Sequence, residues 1–156
     1  MNSRRFIAIV AMLIILPLCG RNRAEAFLGF GEGHGGDQSG LDLNRGYDVN
    51  TVTTVAGKVL ATLRAGERRH VIIAVRAPAE TINICVGPSS YWDKNGIQLH
   101  PGDEISAKGS RAQGKDGKIY LLAQRLADRT TGAQVILRNE AGQPRWLSTG
   151  TAPGGR

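Results

Sequence analysis

The side chains that could do chemistry in this chain are few and scattered. Its three histidines, His34, His70 and His100, form no His-x-x-x-His pair, and Cys19 and Cys85 form no Cys-x-x-Cys pair. No zinc site is therefore spelled out. A haem-attaching Cys-x-x-Cys-His string is absent as well, and no glycine-rich loop joins a strand pattern to a helix pattern to cradle phosphate. Asp103 and Glu104 come closest to a carboxylate pair, but neighbours in a strand face opposite sides and cannot share acid and base work. Asp103 suits a turn that bonds its own backbone. Glu32, His34, Asp37 and Asp42 are metal-ligand types, yet they sit in a glycine-rich stretch without preorganised geometry. The expectation is a non-catalytic protein with no cofactor and no metal.

Residues suited to contact are better represented. Tyr91 and Trp92 adjoin Gly87-Pro88, and such rings combine large area with a polar handle. One of them is expected to plug the end of a barrel and the other to stay open. Arg111, Lys115, Lys118, Arg125, Arg129, Arg138 and Arg145 make the later half basic. That is read either as a solvated edge with lysines guarding exposed strands or as a face for an anionic partner. The candidate partner-binding surface is Tyr91, Trp92, Arg111, Arg125, Arg138 and Trp146, with Trp146 better suited to packing a tail against the barrel.

The elements that must position these residues begin after a targeting segment. Arg4 and Arg5 precede an uncharged, mostly aliphatic run over residues 6–20, and Ala24-Glu25-Ala26 offers a small-x-small cleavage site. As a helix the run reaches roughly 22 Å, short of the ~30 Å hydrocarbon core, which favours a cleaved signal. Arg21 and Arg23 would instead suit an uncleaved anchor whose cations snorkel into headgroups. Cys19 lacks a proper lipoprotein box because Leu18 is bulky. Without residues 1–26, four arginines and one glutamate are lost, and the formal charge falls from +7 to +4. Export then leaves Cys85 alone, read as a small buried hydrophobe with no disulfide partner.

Residues 27–46 carry seven glycines and little apolar periodicity, the composition of a flexible linker. From Tyr47 the texture becomes short β-prone runs. Val55, Gly57, Val59, Ala61 and Leu63 alternate with polar neighbours, and Gly57 marks a bulge or a sharp bend. Further strands are expected at His70–Arg76, 81–86, 104–109, 119–127 and 134–138. Ser89 or Ser90 should cap a helical turn that Asn95-Gly96 ends. Pro101-Gly102 and Asp116-Gly117 mark turns, and parity near Ala123 predicts a bulge. The fold class is all-β: a small OB-like antiparallel barrel of five or six strands with one short helical turn. It spans residues 47–147, before a flexible tail at 148–156. A β-sandwich is the rival architecture.

Gly57-Lys58-Val59, Gly87-Pro88 with Tyr91-Trp92, Pro101-Gly102-Asp103-Glu104-Ile105, Gly109-Ser110 and the run Leu137-Arg138-Asn139-Glu140-Ala141-Gly142-Gln143-Pro144-Arg145-Trp146 carry a resemblance. Together they resemble small exported bacterial proteins with an OB-like domain, a group that includes the magnetosome-associated MamS and MtxA. The resemblance implies an accessory role at the magnetosome or cytoplasmic membrane, facing lumen or periplasm, in forming or sizing magnetite crystals. It brings no catalytic residues. The expected partners are the membrane, through the N-terminal segment, and other envelope or magnetosome proteins or an anionic surface. A soluble periplasmic ligand- or cation-binding protein is the alternative. Nucleic acid is the weaker one, since aromatics are few and export removes the chain from it.

Overall fold

A computed structural model of the chain describes residues 39–66 and 69–148. The apolar run, the first twelve residues of the glycine-rich segment and the tail beyond residue 148 lie outside the described residues, as do the targeting and anchoring expectations attached to them.

The described residues form six strands: β1 Val52–Ala65, β2 His70–Arg76, β3 Thr81–Pro88, β4 Glu104–Gln113, β5 Ile119–Asp128 and β6 Gln134–Ile136. A helix, α1 Ser89–Asn95, joins β3 to β4, and a single turn, α2 Arg145–Ser148, ends the described chain. The sheet runs β3-β2-β1-β4-β5-β6 and closes on itself because β3 also pairs with β5. Five strands form the closed barrel, and β6 is an addition along β5.

The expected antiparallel barrel needs one correction. The closing β3–β5 pair is parallel, from Ile82 opposite Ile119 to Cys85 opposite Leu122. Closure requires it, because the connection through α1 and β4 returns the chain to the far side of β3 running in the same direction.

Alternation fills the interior. Val55, Ala107, Leu126 and Val135 lie opposite one another across β1, β4, β5 and β6 and all belong to the main core. Ile73 and Val75 of β2 stand opposite Ile84 and Ile82 of β3, and Val71 and Val86 join them in the same cluster. Burying each aliphatic chain stabilises the fold by about 2 kcal/mol before entropy is counted.

β1 serves two neighbours by bending. Its first half pairs with β4, its second with β2, and Lys58 stands opposite both Glu104 and Arg76. Gly57 sits at that change, where an added Cβ would lie 2.3 Å from the Arg76 carbonyl oxygen. The expected bend is there, with the register slipping just beyond it, between Val59 and Ala61. The expected bulge near Ala123 is also present: Lys108 faces Arg125 and Gly109 faces Ala123, so Gln124 has no opposite residue. Helix α1 differs from expectation at its start, where Pro88 occupies the cap position and no serine caps it. Proline fits that place because its φ of −62° with ψ of 145° is the extended backbone a cap residue takes.

The turn from β5 to β6 is organised by buried Asp128. Its Oδ2 accepts from the Thr131 hydroxyl at 2.6 Å and its Oδ1 from the Thr130 N–H at 2.8 Å. The Thr131 hydrogen bond is the main reason its carboxyl titrates below the ordinary range, against the opposing effect of burial. A depressed folded-state pKa gives stability that is complete above the unfolded value, about pH 4, and lost as pH falls through the folded value. Between about pH 6 and 2 the urea midpoint of the chain should therefore fall more steeply than that of an Asp128→Asn variant. Parallel curves would show that the turn takes no part in acid lability.

Candidate functional site

The glycine-rich stretch does not continue to Tyr47 as an unstructured linker. Leu43 is buried, and with Leu41 and Tyr47 it packs on an apolar patch outside the barrel made by Ile72, Cys85, Tyr120 and Leu122. The Ser39 carbonyl accepts from the Lys115 N–H at 2.8 Å, and Asp42 Oδ1 accepts from the N–H groups of Asn44 and Arg45 at 2.9 and 3.0 Å. Residues 39–47 are thus a strap across the barrel wall. The folded domain starts earlier than composition indicated, because two leucines two residues apart found an apolar surface to cover.

The C-terminal run forms a second piece. The unpaired Gln124 of the bulge offers its carbonyl to the N–H groups of both Leu137 and Arg138, at 2.8 and 3.1 Å. Asn139 then closes a tight loop. Its side-chain oxygen accepts from the Gln143 N–H at 2.8 Å, its own N–H donates to the Gln143 carbonyl, and Gly142 turns the chain with φ of 80°.

Arg138 joins strap to loop. It is 1% exposed, and its guanidinium donates to the carbonyls of Leu43 (2.5 Å), Gly142 (3.1 Å) and Asn44 (3.4 Å). The Tyr47 ring lies 5.5 Å away and the Trp146 ring 4.9 Å, so the cation sits between two π-faces. Burial pushes its pKa down to about 10, which leaves it charged at neutral pH. Burial likewise raises the Tyr47 hydroxyl, with the Arg138 charge pulling the other way. Trp146 donates its indole N–H to Asn44 Oδ1 at 2.8 Å, rests on the Gly87 backbone and meets Tyr91 at 5.7 Å between centroids.

The six residues expected to make a contact surface therefore separate. Arg138, Trp146 and Tyr91 come together, but Arg138 is spent internally and does not reach the surface. A guanidinium surrounded by carbonyls and rings of its own chain is a strut. Trp92 packs on the core from α1, near the Arg64–Asp93 ion pair of 2.7 Å. Tyr91 packs on the core too, so the expected plug involves both rings, each partly exposed. Arg111 pairs with Glu80 at 2.9 Å, and Arg125 is exposed on the outer face of β5.

Between strap and loop lies an open groove of about 710 Å³, whose lining includes Arg45, Tyr47, Asn139, Gln143, Arg145 and Leu147. None of its lining residues is acidic, and Leu147 is 58% exposed. The groove can offer cationic and amide donors along one side and apolar surface along the other. Tyr47 and Arg45 escaped sequence reasoning, which had assigned Arg45 to the linker. The Leu41-x-Leu43 alternation was the signal that the strap was bound. Among the described residues no three His, Cys, Asp or Glu side chains gather in a way that would hold a metal ion.

These features define a small closed β-barrel protein with a clasped groove on its outer wall. The chain belongs to the MamS/MamX magnetosome protein family, whose family model matches residues 51–131. The match covers β1 to β5 and stops short of the C-terminal run, so membership rests on the barrel. No curated protein matches the chain. Similar solved structures include two of TiaS, one a ZRD-deleted mutant in complex with agmatine and the other a complex with tRNA and ATP. Each has a TM-score of 0.38 and 18% identity over 49% of this chain, which spans only 21% and 18% of those chains. A likeness that low says nothing of agmatine or tRNA here.

Proposed function

We propose that this chain is an exported, membrane-associated, non-catalytic binding or scaffolding module that assists magnetite crystal formation or size control. Membership of the MamS/MamX magnetosome protein family carries the reading. The barrel supports a contact role of the OB-like kind: strands circulate in the order β1-β2-β3-β5-β4, with α1 between β3 and β4. The clasped groove is the contact site we favour, because it joins two arginines, amides and exposed apolar surface in one concavity.

In a magnetosome-forming host, deletion of residues 47–147 should change the number or size of the crystals. Charge reversal of the groove by Arg45→Glu with Arg145→Glu should reproduce part of that change at unaltered protein level. Normal crystals in a clean deletion would remove the magnetosome role. A deletion phenotype with no effect from the double variant would move the contact away from the groove.

A further inference from the structure

The barrel wall carries a second feature that the groove does not absorb. Across its outside, Thr54, Lys108, Arg125 and Ile136 stand directly opposite one another on β1, β4, β5 and β6. All four are exposed, Ile136 at 46%. The neighbouring row is Ala56, Ser106, Ala127 and Gln134, mostly small residues that leave the surface low between the long cations. Lys58 and Arg129 flank Glu104 at the end of the same face, and Glu104 is 4.0 Å from Lys58.

Lys108 facing Arg125 needs a reason. Like charges directly opposite in a sheet destabilise it. Guarding of an edge does not account for them, because β4 lies between β1 and β5, and β5 between β4 and β6 at this level. Among the described residues neither cation makes an ion pair. A low, cationic face with one exposed isoleucine beside Arg125 is complementary to a plane of anionic headgroups, which would relieve the repulsion. An uncharged apolar run at residues 6–20 of the same chain, kept as an anchor, would hold this domain beside a bilayer, which favours lipid as the occupant.

We infer that the outer face of β1, β4, β5 and β6, centred on Lys108 and Arg125, docks on an anionic phospholipid surface. The inference takes its setting from the membrane-associated reading above, and its test is separate from the crystal phenotype.

The full chain is reconstituted in vesicles of phosphatidylcholine alone and in vesicles where phosphatidylglycerol replaces part of it. Amine labelling of each lysine is then followed by mass spectrometry, with Lys94 on α1 and Lys118 in the β4–β5 turn as references. Lys108 labelling should fall several-fold on the anionic vesicles only. It should recover at about 1 M salt, where screening acts within about 3 Å. Arg125→Gln should weaken the protection about fivefold, the equivalent of about 1 kcal/mol for one cation near an anionic surface. Equal Lys108 labelling on both vesicles would overturn the inference and leave any deletion phenotype standing. Equal protection of Lys94 and Lys118 would overturn it as unspecific adsorption. Protection by poly-glutamate but not by lipid would overturn it in favour of an acidic protein partner.

Discussion

Arg138→Ala is expected to lower the stability of the chain by about 3 kcal/mol and to release the strap. The guanidinium is the common donor to the Leu43, Asn44 and Gly142 carbonyls, which belong to segments about a hundred residues apart in sequence. Burying a cation is costly, and here carbonyl hydrogen bonds and two aromatic faces offset the cost. Alanine removes the cation together with its desolvation cost, but it leaves those carbonyls without a donor and Tyr47 and Trp146 without a filling. The check has two readouts. The urea midpoint should fall with little change in slope, since the barrel itself persists. Exchange of the Gly46 amide and the Trp146 indole N–H should accelerate more than exchange in β2. Arg138→Lys should recover little, because one ammonium cannot span three carbonyls while lying flat between two rings. An unchanged midpoint in Arg138→Ala would show that the strap is held by its other contacts, the Leu41, Leu43 and Tyr47 packing and the Lys115 and Trp146 hydrogen bonds, without help from the cation.

Gly57→Ala should cost about 3 kcal/mol or more, although alanine is the smallest possible addition. The new Cβ would stand 2.3 Å from the Arg76 carbonyl oxygen and 2.8 Å from Val75 Cγ1. The first of these is backbone held in a strand ladder, so no rotamer change relieves the overlap. β1 must then straighten, which pulls its pairing with β4 against its pairing with β2. Gly117→Ala is the control. Gly117 has φ of 77° with nothing within 4 Å, so only the left-handed backbone is penalised, at about 1 to 2 kcal/mol. If chemical denaturation gave both variants the same loss, crowding at the bend would not be what Gly57 avoids.

The alternation in β1, the apolar positions of β2 and β3, the bend at Gly57 and the bulge beside Ala123 were all legible in the sequence. Each is a local consequence of side-chain parity or of turn chemistry. The strap was misjudged for the opposite reason. Its glycines are local and visible, whereas the patch of Ile72, Cys85, Tyr120 and Leu122 that binds it is gathered from three strands. Arg138 was misjudged in the same way: arginines usually stay in water, and two of the three carbonyls it meets, those of Leu43 and Asn44, lie over ninety residues away.

By itself, the sequence determined the all-β class, the order of the strands and the absence of a recognised catalytic string. These depend on residue period and on motifs, which need no partner from elsewhere in the chain. Only the tertiary structure decided that β3 closes on β5 in parallel, that Arg138 is a buried strut and that Lys108 confronts Arg125. The first two are meetings of residues far apart along the chain, governed by barrel closure, and the third depends on the bulge that sets the register of the β4–β5 hairpin.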